Sequence, residues 1–353
     1  MARERIINAD AQNPDEDRYD LALRPQSLDE CIGQEKLRQK LKIALTAAQQ
    51  RSEPMEHTLL HGPPGLGKTT IAHVIAHEMN ANLKTSSGPA LTRPGDLMGI
   101  LTNLQHGDVL FIDEIHRLPA IVEEFIYPAM EDFKVDFTVD SGMHAKTINI
   151  PLKPFTLIGA TTRAGLITAP LRGRFGIQHH LEFWPRQDLQ QCLRRSARLL
   201  KIDCDDESLR QISLCSRGTP RIANRLLRRV RDYAQVHGDG SVTPPLTQAA
   251  MRIEEIDQLG LDNLDRSYLI SLIKTYNGGP AGVEALSATL GEERDTLEDI
   301  VEPYLLQIGF VARTRQGRIA TDDAYRHLNI EPPLDDSPRR HAVLEQNDQQ
   351  TLF

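Results

Sequence analysis

Residues 62–69 read GPPGLGKT, a G-x-x-x-x-G-K-T spacing that can wrap a phosphate in backbone N–H groups. Gly62, Gly65 and Gly67 let successive amides turn inward, and a helix starting there offers its positive end to the same anion. Lys68 brings a point charge to the β- and γ-phosphates, Thr69 a hydroxyl oxygen for Mg²⁺, and Thr70 continues the first turn. Farther on, DVLFIDEIH (108–116) ends an apolar run in two carboxylates, Asp113 for the Mg²⁺ shell and Glu114 to polarise an attacking water. A third run, FTLIGATTR (155–163), ends at Thr161 and Thr162, where a hydroxyl can orient that water; Thr161 is the candidate. The expected ligands are ATP or ADP with Mg²⁺.

Two arginines flank a glycine in APLRGRFG (169–176), and unpaired arginine is almost never core. They are either surface ion-pair partners or donors to an anion. Phosphoryl transfer favours the second, because its transition state spreads negative charge that a guanidinium meets with paired donors, an effect worth roughly 10³ to 10⁵ in rate. Arg174 is the choice for that finger, with Arg172 in support.

These groups need a scaffold. The order strand, phosphate loop and helix, then strand with DE, then strand with TT, specifies a doubly wound α/β domain, a parallel sheet with ligand at its carboxyl ends. Between the DE and TT strands, EDFKVDFTVDSGMHAKTINI (131–150) alternates Phe133, Val135, Phe137 and Val139 before a Ser141-Gly142 turn, which reads as a hairpin inserted into that sheet. Residues 1–186 make this domain, and 187–258 read as a smaller all-α domain. Its segment SRGTPRIANRLLRRVRDYA (216–234) has Thr219 as N-cap, Pro220 in the first turn, and Ile222, Leu226, Leu227, Val230 and Tyr233 on one face. Arg221 then sits at the positive helix end and calls for an anion, while Arg225, Arg228 and Arg229 read as a solvated face. Residues 259–330 read as three helices and a short hairpin around Gln316-Gly317, a winged helix. Its third helix starts GEERDTLED, too acidic to read a major groove, whereas Arg313, Arg315 and Arg318 suit DNA backbone phosphates. The tail 331–353 is proline-rich and polar and is expected to be disordered.

The 353 residues allow two or three domains, and the net charge of -8 argues against a generally basic nucleic-acid coat while permitting a local basic patch. Cys31, Cys192, Cys204 and Cys215 form no C-x-x-C pair, as expected of a reducing compartment. With neither an apolar run long enough to span a bilayer nor a signal-like start, the expectation is a cytoplasmic protein without membrane attachment. His73 and His77 have i, i+4 metal spacing, yet HVIAH lacks the glutamate of a zinc protease.

Taken in order, RPQSLDECIGQ (24–34), GPPGLGKTT, FIDEIHRL, FTLIGATTR, RFG and GTPR resemble AAA+ ATPases, and among them the RuvB family of Holliday junction branch-migration motors. The resemblance runs from about Arg24 to about His327. It implies a homo-hexameric ring that drives duplex and four-way-junction DNA in recombination and repair, with Arg174 reaching the neighbouring subunit's ATP. It makes Arg221 a second sensor on the γ-phosphate side and places Leu23, Arg24, Ile32 and Trp184 around adenine. It makes the 131–150 hairpin the dock of a RuvA-type junction-binding protein, with a RuvC-type resolvase in the wider complex. An aspartate more often separates the two finger-region arginines in the family; here Gly173 stands between them. A protein unfoldase would carry an aromatic pore loop, and residues 80–108 hold no Phe, Trp or Tyr. The remaining alternatives are a clamp-loader-like DNA remodeller and an ATP-switched winged-helix transcription regulator.

Overall fold

The structure, a computed structural model, describes residues 22–139 and 146–332, which divide into two compact units, one ending at Asp188 and the other starting at Leu189. The first unit runs α1 (Glu35–Arg51), β1 (Thr58–His61), α2 (Lys68–Glu78), β2 (Leu83–Ser87), α3 (Pro94–Leu101), β3 (Val109–Asp113), α4 (Ala120–Glu131), β4 (Lys134–Val139), β5 (Lys146–Pro151), β6 (Thr156–Thr161), α5 (Ala169–Gly173) and β7 (Ile177–His180). Five strands form one parallel sheet in the order β2-β3-β6-β1-β7, so every connection crosses over and the chain must return through helices on the faces.

Strand sequence sets which face each side chain supplies. Leu59, Leu110, Ile112 and Leu157 point into a core with α3 and α4 residues such as Leu97, Leu101, Val122 and Ile126. Their neighbours Leu60, Val109, Phe111 and Ile158 point the other way, onto Leu37, Leu41 and Leu45 of α1 and Val74 and Ile75 of α2. With both faces covered, the three central strands are apolar between the buried Thr58 and Thr156 that start β1 and β6 and their carboxyl ends, where the chemistry begins.

The β4–β5 hairpin pairs antiparallel from Lys134↔Pro151 to Val139↔Lys146. It forms its own two-stranded sheet and does not join the five-stranded one, which corrects the expectation of an insertion into that sheet. Val135 belongs to the core beneath α4, with Phe133 and Ile150 packed against it, so the hairpin is rooted at its base. The Ser141-Gly142 turn lies outside the described residues, as does the tail from residue 333.

The second unit takes up α6 (Arg186–Leu199) and continues with α7 (Asp206–Cys215), α8 (Pro220–His237), α9 (Pro244–Ile253), α10 (Asn263–Ile270), α11 (Val283–Leu290), α12 (Arg294–Thr296), α13 (Glu302–Gln307), β8 (Val311–Thr314), β9 (Gly317–Ala320) and α14 (Asp322–His327). A π-helical turn, Ser271–Thr275, extends α10, and a second, Leu297–Val301, joins α12 to α13. Tyr268, Leu269, Leu272, Leu286, Leu297, Val301, Leu305 and Val311 share one core, which fixes helices and hairpin as a single winged body. In α8 the apolar face is as expected, but Arg225 is buried, Arg228 half-buried, and only Arg229 of the three exposed. Thr219 stands at the N-cap position with its hydroxyl turned back to the Ser216 carbonyl at 3.1 Å and does not cap the helix.

Arg217 and Asp265 form a buried ion pair within this unit, at 3 % and 0 % side-chain exposure. Arg217 Nε also donates to the Gly260 carbonyl at 2.8 Å, its guanidinium lies over Tyr304, and Asp265 closes a capping box with Asp262 at the start of α10. All four cysteines are free; burial pushes the Cys192 thiol up to about 11 and Cys204 and Cys215 up to about 12, so none of these three is a ready nucleophile. Among the described residues no helix is long and apolar enough to cross a membrane.

Candidate nucleotide and DNA sites

The carboxyl ends of β1, β3 and β6 bring the chemical residues together. Gly62 follows β1 with φ +140°, and a Cβ there would lie 2.5 Å from the Leu181 carbonyl oxygen, so no side chain fits. Gly67, at φ +97°, takes the left-handed conformation that ends the loop and starts α2 at Lys68. The Lys68 side chain is buried, with Nζ donating to the carbonyls of Gly62 at 2.8 Å and Pro63 at 3.0 Å, so the charge is held inside the loop. Thr69 and Thr70 lie half-buried in the first turn of α2.

Asp113 ends β3 and its Oδ1 accepts from the Glu114 amide at 2.9 Å. Glu114 has left-handed backbone geometry at φ +46°, and a Cβ on Gly88 would lie only 2.3 Å from the Glu114 carbonyl oxygen. That turn redirects the carboxylate toward β6. Glu114 Oε2 is 3.1 Å from His116 Nδ1 and 3.2 Å from the Thr162 hydroxyl. Burial pushes the Glu114 carboxyl up, but the His116 hydrogen bond and charge, the Thr162 amide and the Lys68 ammonium outweigh it, so the net displacement is downward and the group is ionised.

Thr161 has a different position from the one expected of a water-orienting group. It is fully buried, its hydroxyl lies 2.9 Å from His116 Nδ1, and it accepts from the Arg163 amide at 3.0 Å. Thr162 is the threonine that meets Glu114. Sequence reading also passed over His116, only two residues beyond Glu114, and Gly88, whose approach to Glu114 comes from elsewhere in the chain and leaves no local pattern; the left-handed Glu114 likewise has no glycine or asparagine to announce it.

At this same carboxyl end, where β7 lies parallel to β1, the loop before α1 approaches the chain after β7. A Cβ on Gly33 would lie 3.2 Å from the Trp184 ring, and Gln34 Nε2 donates to the Glu182 carbonyl at 2.5 Å. The half-buried Ile32 and Trp184 are thereby brought near one another, and the indole Nε1 has no partner among the described residues. Leu23 is buried, and Arg24 lies close enough to His73 of α2 to help lower that imidazole, after the larger effect of burial. His77 is exposed on the same helix.

The two arginines of α5 part company. Arg172 donates through Nη2 to the Ala164 carbonyl and contributes to depressing His61, behind burial and His180. Arg174 instead turns to α4, with Nη2 3.2 Å from Glu131 Oε1 and its guanidinium carbon 4.0 Å from the centre of the Tyr127 ring. A Cβ on Gly173 would meet nothing within 4 Å, so the glycine between them is not required by packing.

In the second unit, Arg221 lies half-buried in the first turn of α8. The winged hairpin pairs Thr314 with Gly317, which puts Arg315-Gln316 at its turn, one residue earlier than expected. Its three arginines are not equivalent. Arg318 is turned inward at 15 % exposure, with Nε 2.9 Å from Glu302 Oε1 and Nη2 2.9 Å from Glu298 Oε1. Arg313 also pairs with Glu302, a carboxylate with 0 % exposure that further accepts from the Tyr268 hydroxyl at 2.9 Å. Glu298 and Glu302, acids of the third helix, thus offset two of the three charges; Arg313 stays exposed beside its acid, and Arg315 stands exposed at the tip.

Family models match almost the whole chain in order: the Holliday junction DNA helicase RuvB P-loop domain over residues 23–181, the RuvB AAA lid domain over 184–257 and the RuvB C-terminal winged helix domain over 258–329. Among solved structures, the Thermotoga maritima RuvB Holliday junction branch migration motor is 49% identical, covering 88% of this chain and 100% of its own, with a TM-score of 0.81. Two point mutants of Thermotoga maritima RuvB are each 50% identical over 88% of this chain and 99% and 100% of theirs, with TM-scores of 0.82. A P-loop domain, lid and winged helix matched in that order, on a parallel sheet that gathers Lys68, Asp113 and Glu114, identify a nucleotide-binding chain that belongs to the RuvB family.

Proposed function

We propose that this protein is an ATP-hydrolysing ring motor that moves duplex DNA to drive branch migration of four-way junctions. The observation that supports this most is the assembly of Lys68, Asp113, Glu114 and Thr162 at one sheet end in a chain that also carries a winged helix. Lys68 and the loop amides bind the phosphates of ATP, and the left-handed turn at Glu114 aims an ionised carboxylate to take a proton from the attacking water. The Thr69 hydroxyl and Asp113 are hard oxygen donors of the kind that hold Mg²⁺, which when bound would neutralise phosphate charge. We assign the water-orienting role to Thr162 in place of Thr161, and the adenine surround to Leu23, Arg24, Ile32 and Trp184.

Arg174 is the finger donated to the next subunit in a homo-hexamer, Arg172 its support, and Arg221 the sensor on the nucleotide. Residues 1–186, 187–258 and 259–330 act as motor, lid and DNA head. Arg315 makes the leading phosphate contact, with Arg313 and Arg318 behind it. The 131–150 hairpin docks a RuvA-type partner, in keeping with its rooted base and the 44% exposure of Ile148, and a RuvC-type resolvase joins the wider complex. The setting is the cytoplasm.

Purified protein should hydrolyse ATP faster with a four-way junction and a RuvA-type partner, irrespective of base sequence. Arg174→Ala should bind ATP yet turn it over roughly 10³-fold more slowly or worse. Mixing it with Lys68→Ala should restore part of the rate. Full turnover by an Arg174→Ala monomer would exclude a shared site.

A further inference from the structure

Helix α4 carries Glu123, Tyr127 and Glu131 at i, i+4 and i+8, a single stripe facing α5. Glu123 is buried and accepts from both the Tyr127 hydroxyl and the Thr168 hydroxyl. Thr168 is the N-cap of α5 and accepts from the Leu171 amide at 3.3 Å, so the phenol is tied to the start of the helix that ends in the two arginines. Arg174 then lies on the ring so fixed, 4.0 Å above its centre, with Nη1 donating to the Pro170 carbonyl at 2.7 Å and Nη2 3.2 Å from Glu131. Its Nε is buried and has no partner among the described residues, so one donor of the fork is not engaged by this subunit.

These supports differ in strength. Glu131 is 55% exposed, and an ion pair there is screened and weak. The Tyr127 ring is half-buried and pinned at its hydroxyl, so it is the firmer of the two. A long arginine otherwise samples many rotamers, all but one of which must be given up on reaching a phosphate across an interface.

We propose that Tyr127 and Glu131 are positioning residues for the Arg174 finger, holding its guanidinium ready for the neighbouring subunit's ATP. The proposal rests on the reading of Arg174 as a donated finger. Neither residue touches the nucleotide of its own subunit; their effect belongs to the next pocket along. A defect in Tyr127 should therefore lower kcat and leave ATP binding alone, and it should be curable by a healthy finger from another subunit.

The test uses full-length protein with duplex DNA, measuring kcat and KM for ATP in Tyr127→Leu, Tyr127→Phe, Glu131→Gln and Arg174→Ala, with thermal melts to compare folding. Tyr127→Leu should lose about 10-fold or more in kcat, misplaced catalytic groups being costly up to about 10²-fold, with KM changed less than about 2-fold. Tyr127→Phe keeps the ring but loses the hydroxyl that pins it, and should fall between the parent and Tyr127→Leu. Glu131→Gln should lose less than Tyr127→Leu. Mixtures of Tyr127→Leu with Lys68→Ala should exceed the summed activity of the two alone, because the second variant supplies sound fingers to the sound pockets of the first. Parental kcat in Tyr127→Leu, beside an inactive Arg174→Ala, would overturn the positioning role and leave the finger intact. A slow Tyr127→Leu that no mixture rescues would also overturn it, by showing a defect confined to its own subunit. An active Arg174→Ala would remove the finger itself.

Discussion

Glu114 stands in a left-handed backbone conformation that costs a non-glycine residue of order 1–3 kcal/mol, and the carbonyl it presents to Gly88 leaves no room for a side chain there. In return, its carboxylate meets His116, two residues on, and Thr162, which local sequence could not connect to it. The two threonines after β6 separate cleanly on this geometry. Thr162→Val should lower kcat for ATP on the order of 10-fold or more with the melting temperature little changed, since only the hydroxyl at Glu114 is lost. Thr161→Val should instead destabilise the first unit by about 1–3 kcal/mol, leaving the Arg163 amide without the Thr161 hydroxyl and His116 Nδ1 with Glu114 alone. Steady-state kinetics beside urea unfolding distinguishes them, and an inactive but stable Thr161→Val would reverse the assignment.

At the scale of elements, the glycine spacing, the apolar strands and their carboxylate ends were legible because each is a local rule: φ above zero needs glycine, and a strand buried on both faces needs a continuous apolar run. The hairpin at 134–151 was legible as a hairpin from its period-two pattern, but its separation from the main sheet was not, since alternation says nothing about which edge is paired. Arg225 failed for a related reason: a helical wheel gives the facing direction and not how far the neighbouring helices wrap around it. The wing shows the same limit. Its basic run was correct in composition, yet only the fold reveals that buried Glu302 claims Arg313 and Arg318. Arg315→Ala should therefore flatten the salt dependence of DNA binding by about one unit, for any sequence, without loss of stability. Arg318→Ala should lower stability by about 1–3 kcal/mol, since buried Glu302 keeps Arg313 and Tyr268 but loses its Arg318 donor. Salt titrations and denaturant melts of the two variants test this, and a pair of equal, purely electrostatic effects would contradict it.

For the molecule as a whole, acid should loosen the first unit. His57 donates from Nε2 to the Met130 carbonyl at 3.1 Å and accepts at Nδ1 from the Leu157 amide at 2.8 Å, a pattern that requires neutral imidazole. Burial lowers its pKa, and the Met130 carbonyl opposes this only in part; His61, His73 and His179 are lowered too, again chiefly by burial. A histidine whose folded value is depressed takes up its proton more readily unfolded. The stability it contributes is complete above the ordinary value of about 6.5 and is lost as pH falls through the folded value, at about 1.36 kcal/mol per unit of displacement. Unfolding free energy should decline from pH 7.5 toward pH 5, and His57→Gln should make the decline shallower. A parallel decline in the variant would mean other groups govern it.

The buried pair of Arg217 and Asp265 has a mechanical consequence. Bending the chain between α7 and α10 would drag both ions apart in a place with no water to receive them, at a penalty far above thermal energy. The hinge is in effect soldered, and a twist applied near α8 must emerge at the Arg315 fingertip with little slack, as torque does along a crankshaft.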